Sequence, residues 1–306
     1  MRGKQKVQRA EQLRTSLQDF HERVMPLHGI AQPENMLAFV AQIIDSLHRI
    51  EYVQTIRRRP ISANRINPHS PFFDPIRAAV LISRDQPEEA FWLVFLATHC
   101  GPNIRTNWLL ASELYGAWEA KSWSWARVLA DPQNYANWID HYHDRFQGKF
   151  GNHRKYESLK PGPKGTSAVV RSYVEWIKGY GSHVDMVAQA QAQAQGSPRR
   201  AFGLLYEQME SVQRFGRTGK FDYLTMLGKV GLANIDADST YINDATGPKR
   251  GARLLFDGRI DSHTNARTLE GQVHLLERHL GVGMQVMEDA TCNWQKSPSL
   301  YQPFRG

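Results

Sequence analysis

Apolar residues recur three and four positions apart along most of this chain, and glycine or proline punctuates nearly every such stretch. That spacing is the signature of helices with one buried face. Met36, Phe39, Val40, Ile43, Ile44 and Leu47 line one face of a helix that Pro33-Glu34-Asn35 opens. A charged helix over 9–25 precedes it and stops before Pro26. Asp74-Pro75 is a cap followed by a first-turn proline, so a short helix is expected over 76–82. Pro87-Glu88-Glu89 starts the most apolar segment, Ala90 to Ala97, which Gly101-Pro102 terminates. Helical patterns continue over 108–115, 132–146 and 166–180. Ala188 to Gln195 alternates alanine with glutamine, and alanine is too small to make a strand face, so an exposed helix is expected there. Ser197-Pro198 opens a helix running toward Phe215, and 252–256, 269–280 and 283–294 complete the set. Strand signals are sparse. The expectation is a mainly α chain, with an N-terminal helical extension over 1–44 and a single compact helical region over 45–306. A sub-lobe boundary is expected near 181–197.

Composition narrows the partners. With 306 residues and 41% hydrophobic content the chain can bury a full core. Lys and Arg number 38 against 30 acids, a net charge of +8 that favours a polyanionic partner. Two cysteines, Cys100 and Cys292, form no disulfide framework, and no CxxC pair offers a zinc site. Met1 to Lys6 leads into a polar helix without the apolar core of a signal peptide, and the longest apolar run, 90–98, is too short for a bilayer. These features suit a soluble, cytoplasmic protein with no membrane partner. No metal-ligating cluster or cofactor motif stands out, although a bound phosphate could recruit a cation.

Three segments carry candidate chemistry. Phe215-Gly-Arg-Thr-Gly-Lys-Phe-Asp-Tyr sets Arg217 and Lys220 three apart, so a helical turn brings both cations to one side. Asp222 is expected at the helix start, where unpaired amides stabilise a carboxylate. Its plainer reading is an N-cap with solvated charges. Lys149, His153, Arg154, Lys155 and Lys160 are interleaved with Phe150 and Tyr156, a pattern that suits phosphate contact with ring stacking. Arg154 offers a bidentate fork, and His153 is a candidate base. An ordinary solvated basic loop would look the same. Thr246-Gly247-Pro248-Lys249-Arg250 opens an apolar helix, with Arg253 following, as in the second half of a helix-hairpin-helix that aims amides at DNA phosphate. Leu227-Gly228-Lys229-Val230-Gly231 is a weaker copy of the hairpin turn. On the apolar C-terminal helix, Asp289 must face solvent or answer an arginine, since burying it unpaired is costly.

Taken in order, Gly-Lys-Phe-Gly-Asn-His-Arg-Lys-Tyr-Glu from 148, the 215–229 run, Ala-Thr-Gly-Pro-Lys-Arg-Gly-Ala-Arg from 245 and Val-Met-Glu-Asp-Ala-Thr-Cys-Asn-Trp-Gln from 286 resemble the alpha-glutamyl/putrescinyl thymine pyrophosphorylase family, most closely its third clade, over 45–306. The resemblance implies a helical fold akin to helix-hairpin-helix DNA glycosylases, used for transfer in DNA hypermodification by bacteria and bacteriophages. A phosphorylated 5-hydroxymethyluracil in DNA would lose phosphate or pyrophosphate as an amine of an amino acid or polyamine attacks its methylene. The setting would be bacterial or phage-infected cytoplasm. For that reaction Arg154, Lys155, Arg217 and Lys220 are candidates to hold phosphate. Tyr156, Phe221 and Tyr223 are candidates for the pocket of a flipped base. Asp222 and Asp289, with His153 behind them, are candidates to deprotonate the amine. Lys149, Gly247, Lys249, Arg250 and Arg253 are candidates for DNA contact. Beyond Gly247 no Asp stands where a glycosylase would carry its catalytic acid, Asp261 coming too early. A glycosylase excising a modified or damaged base, and a non-catalytic DNA-binding protein, are the competing readings.

Overall fold

The computed structural model describes residues 2–118 and 121–304. Among them are fourteen α-helices and no strand, apart from one isolated bridge between Asn103 and Asn107. The early helices are α1 (Arg2–Arg23), α2 (Pro33–Ile56), α3 (Pro75–Ile82), α4 (Pro87–Cys100) and α5 (Leu109–Gly116). Next come α6 (Trp125–Ala130), α7 (Pro132–His141), α8 (Thr166–Lys178), α9 (His183–Gln193) and α10 (Pro198–Gln208). The last four are α11 (Arg217–Val230), α12 (Thr246–Asp257), α13 (Ala266–Leu280) and α14 (Met284–Trp294). The chain is mainly helical, as its periodicity implies. Helix α6 is the one the sequence pattern does not suggest, being only six residues long.

The chain divides into two compact units, one from the residues up to Tyr52 with those from Ala237 onward, the other from Val53 to Asp236. The segment 181–197 lies inside the second unit, as α9 and its flanks. The Ala-Gln repeat is helical through Gln193, with Ala190 in α9 and its C-cap Ala194 buried and most of the glutamines outside.

In the first unit α1 buries Leu13, Leu17 and Phe20, and the Phe20 ring meets His279 of α13 at 5.4 Å. Helix α2 contributes Phe39, Val40, Ile43 and Ile44, with Phe39 against Trp294 of α14 at 5.0 Å. Helices α12 and α14 cross at glycines. A Cβ on Gly251 would stand 2.1 Å from the Thr291 carbonyl oxygen, and one on Gly247 would stand 2.7 Å from Cys292 Sγ. At Gly251 backbone meets backbone, so no side chain fits.

The second unit is built on α4. From Ala90 to Cys100 every residue is buried, so this helix is apolar on all sides and is a central element. Tyr135, Tyr173 and Tyr223 pack against its Trp92 and Phe95, with Phe95 and Tyr173 stacked at 3.7 Å. Its polar ends fix neighbours. Glu89 accepts the Trp125 amide at 2.7 Å and so starts α6. Asp74 caps α3 through the amides of Ile76 and Arg77 at 3.1 and 3.0 Å.

Two local expectations change. Helix α11 begins at Arg217, with Gly216 as its extended N-cap, so Asp222 lies in the second turn and not at the helix mouth. Leu227 to Gly231 closes α11 where a hairpin turn was expected. Gly231 takes φ +79° and its amide reaches the carbonyls of Leu227 and Gly228, and the next α-helix starts only at Thr246.

The glycine crossing sets a direct stability test. Gly251→Ala should destabilise the protein by about 1–3 kcal/mol, the cost of overpacking a tight contact. Gly271→Ala, in the exposed middle of α13 with nothing within 4 Å of its added Cβ, should be neutral or stabilising by about 0.4–1 kcal/mol. Urea unfolding of the two variants beside the parent checks the contrast, and equal effects would refute it.

Candidate functional site

The basic loop over 146–165 of the second unit is tied down along its length. Glu113, buried on α5, accepts the amides of Gln147 and Gly148 at 2.9–3.1 Å. The Gly151 amide donates to the Cys100 carbonyl at 2.8 Å, and the loop leaves through Ser158, whose carbonyl accepts both the amide and the hydroxyl of Thr166. Its length alone would suggest mobility. These bonds make it a fixed shelf against the C-terminal end of α4.

Arg154 is the pivot of that shelf. Its Nε donates to the Thr98 carbonyl at 2.7 Å and its Nη2 to Asp222 Oδ2 of α11, also at 2.7 Å. The arginine side chain is only 10% exposed, whereas that of Asp222 is 46% exposed. Two of five guanidinium donors are committed to these bonds, which leaves others for an anion. A second strand of contacts runs beside the first. Arg214 donates to the Tyr156 carbonyl at 2.7 Å and lies 3.6 Å from Glu157. Burial pushes the Glu157 carboxyl up from its ordinary range, against the opposing pull of Arg214 and Arg154. The sequence pattern offers Arg214 only as one more cation of the segment that holds Arg217, Lys220 and Asp222, and gives Glu157 no role. Their only signal was their place in the two basic motifs, because the contact between them joins residues far apart in the chain.

The remaining candidates fall into distinct places. Lys149, His153, Lys155 and Tyr156 are exposed on the loop, with the Lys155 ammonium 5.1 Å from the Tyr156 ring centroid. Arg217 lies over Phe221 at 4.8 Å. Lys220 is buried, paired with Glu210 and over the Tyr206 ring at 4.3 Å, so its charge is directed at α10 and the turn after it instead of a ligand. Phe221 and Tyr223, expected in a base pocket, are instead packed in the interior, where no ring face reaches solvent. Tyr156 keeps an open ring.

The first unit holds the other candidates. Asp289 accepts hydrogen bonds from Ser46 at 2.7 Å and Arg49 at 3.2 Å, and Arg49 also pairs with Asp45. The acid on the apolar C-terminal helix is thus answered by an arginine. Gly247 faces Cys292 and serves packing. Lys249 donates to the Asn243 carbonyl, Arg250 is exposed, and Arg253 holds the Thr264 carbonyl. Among the described residues no group of three or more His, Cys, Asp or Glu side chains is arranged to hold a metal ion. No helix among them is long and apolar enough to cross a membrane.

The family model for alpha-glutamyl/putrescinyl thymine pyrophosphorylase clade 3 matches residues 34–306. The chain belongs to this family. Comparison with curated proteins gives no match, and neither does comparison with solved structures. The family's name indicates an enzyme of pyrophosphorylase type acting on modified thymine.

Within this thymine pyrophosphorylase family member, Asp222 is followed by a residue at the end of a buried hydrogen-bonded chain. Tyr223 OH meets Tyr173 OH at 2.8 Å, Tyr173 OH meets His183 Nε2 at 2.7 Å, and His183 Nδ1 meets Glu88 Oε2 at 2.6 Å. Burial alone would push the Glu88 carboxyl up, but hydrogen bonds from the His183 ring and from the amides of His183 and Val184 bring it lower. Burial lowers His183 despite Glu88. The pair is therefore an ionised acid and a neutral imidazole. A carboxylate only accepts, so Nδ1 carries the proton, Nε2 accepts from Tyr173, and Tyr173 in turn accepts from Tyr223. His99 is likewise buried, bonded to Thr166 at 3.0 Å. Burial and the charges of Arg154 and Arg214 bring it down to about 3.

Both histidines are held neutral in the fold and gain protons on unfolding below about pH 6.5. Stability is then complete above that pH and falls as pH drops, by up to about 1.4 kcal/mol per pH unit for each histidine, until the folded form protonates. Urea unfolding between pH 5 and 8 should show this slope. His99→Phe should flatten it by one histidine's share whatever its effect on absolute stability, and an unchanged slope would contradict the assignment.

Proposed function

We propose that the chain transfers an amine, from an amino acid or a polyamine, onto the exocyclic methylene of a phosphorylated or pyrophosphorylated 5-hydroxymethyluracil in DNA. The observation that carries this reading is the Arg154–Asp222 pair, an almost buried guanidinium bonded to a half-open carboxylate. It stands at the foot of a loop with no acidic residue from 145 to 156. The methylene C–O bond breaks with its electrons leaving on phosphate or pyrophosphate, and the C–N bond forms from the amine lone pair. Negative charge grows on the departing group, and a guanidinium already fixed in place stabilises it without reorganising. The amine arrives mostly protonated and must lose a proton to attack. Asp222 is the more open of the two carboxylates near Arg154 and takes that proton. Glu157 holds Arg214 beside it. Lys149 and Lys155 contact the DNA backbone, and Tyr156 stacks on a base or on the extruded nucleotide. The base must leave the duplex for its methylene to be reached, at a cost of a few kcal/mol.

Incubating the protein with DNA containing phosphorylated and pyrophosphorylated 5-hydroxymethyluracil and a pool of amines, then digesting to nucleosides for mass spectrometry, tests the reading. A new amine-bearing nucleoside with release of phosphate or pyrophosphate is expected. Asp222→Asn should lower turnover by roughly 10²- to 10⁴-fold, the usual range for losing a general base, with DNA affinity unchanged. Abasic sites in place of the new nucleoside would establish excision. Bound but unaltered DNA would leave only a binding role.

A further inference from the structure

Ile104 is the most exposed large apolar side chain described, at 80%. It stands at the tip of a short loop between α4 and α5 in the second unit. A solitary exposed isoleucine needs no explanation by itself. The loop that presents it does. Asn103 and Asn107 exchange both backbone hydrogen bonds, at 3.0 and 2.7 Å, closing a three-residue turn of Ile104, Arg105 and Thr106. Asn103 Oδ1 accepts the amides of Arg105 and Thr106 at 2.9 and 3.2 Å, and its Nδ2 donates to the Phe150 carbonyl at 2.9 Å. Thr106 Oγ1 accepts the Lys149 amide at 3.3 Å. The tip is therefore fastened to the basic shelf, one residue from Lys149 and Phe150. Behind it Gly101 and Gly151 touch, and the Arg154 side chain lies against Gly101. Arg105 is exposed next to the isoleucine, and no acidic residue occurs in 101–107 or in 145–156.

We propose that Ile104 is a wedge that enters the base stack of duplex DNA where the modified nucleotide leaves it, with Arg105 and Lys149 on the flanking phosphates. This rests on the reading of DNA as substrate given above. The charge around the tip suits a polyanion, and an apolar side chain alone among cations matches the way proteins unstack a base step. Flipping costs energy only when the base is stacked and paired. A wedge therefore helps a duplex substrate and does nothing for a single strand, which separates it from a general binding residue.

Two measurements test it. In duplex DNA with 2-aminopurine beside the target base, binding of the parent protein should raise fluorescence, and Ile104→Ala should bind without raising it. The residue is exposed, so this variant keeps its fold. On the transfer reaction, Ile104→Ala should lose about 10- to 100-fold in kcat/KM with paired duplex, as expected for a few kcal/mol of unstacking, and keep its rate on the same strand unpaired. Arg105→Ala should weaken both substrates alike and lower the salt dependence by about one phosphate contact. Equal fluorescence with Ile104→Ala, no rise with the parent protein, or equal loss on both substrates would overturn the wedge. Unchanged fluorescence with an altered oligomeric mass in light scattering would do so too, assigning the tip to a protein contact. The fluorescence arm needs no turnover, so it decides the wedge even if amine transfer fails.

Discussion

The hydrogen bonds of Arg154 hold the candidate site together, because one side chain reaches three segments at once. Through Thr98 the guanidinium grips the last turn of α4, through Asp222 it grips α11, and its own backbone belongs to the basic loop. Pairing a carboxylate with a largely buried arginine makes their separation costly, since removing either leaves the other uncompensated. The asymmetry of exposure matters for chemistry. The cation is held nearly out of solvent, and in the proposed reaction it would act strongly there on a departing anion, while the more open acid would meet an arriving amine.

Rigidity behind the site comes from polar groups inside an aromatic core. In the chain of Glu88, His183, Tyr173 and Tyr223 the ionised acid at the edge dictates every donor further in, so the interior has one hydrogen-bonding arrangement and not several. Tyr223 and Asp222 are neighbours on α11 pointing to different places, one into this network and one toward Arg154. Burial of Tyr223 removes it from any base pocket and gives it the task of seating the helix that carries the acid.

The helical class, most helix positions and the family were legible in the sequence because they depend on local periodicity, capping residues and short motifs. Arg154 and Asp222 were also legible one at a time, each as a charge in a glycine-punctuated basic segment. Their pairing was not, since the two lie 68 positions apart and no local pattern reports such a contact. Lys220 shows the limit from the other side. Its spacing from Arg217 matched a phosphate grip, yet Glu210 and the Tyr206 ring, ten and fourteen residues upstream, hold its ammonium. Phe221 and Tyr223 misled for a related reason: aromatic residues near a basic motif read alike whether they stack on a base or fill the core. Ile104 gave no signal, because one apolar residue in a loop acquires meaning only from what fastens the loop.

Helix α4 explains why the chemistry gathers where it does. A helix buried on every side cannot present a functional side chain from its middle, so only its ends can act on solvent or ligand. Its N-terminal end carries Glu88, which sets the interior network, and Glu89, which starts α6. Its C-terminal end supplies the Thr98 carbonyl to Arg154, the Cys100 carbonyl to Gly151, and then the Gly101 turn from which the Ile104 loop projects. Unpaired carbonyls at a helix C-terminus need donors, and here the basic loop provides them with a guanidinium and an amide. The requirement to satisfy those carbonyls is thus what brings positive charge to this edge of the unit. An anionic ligand approaching it meets donors already oriented by the fold.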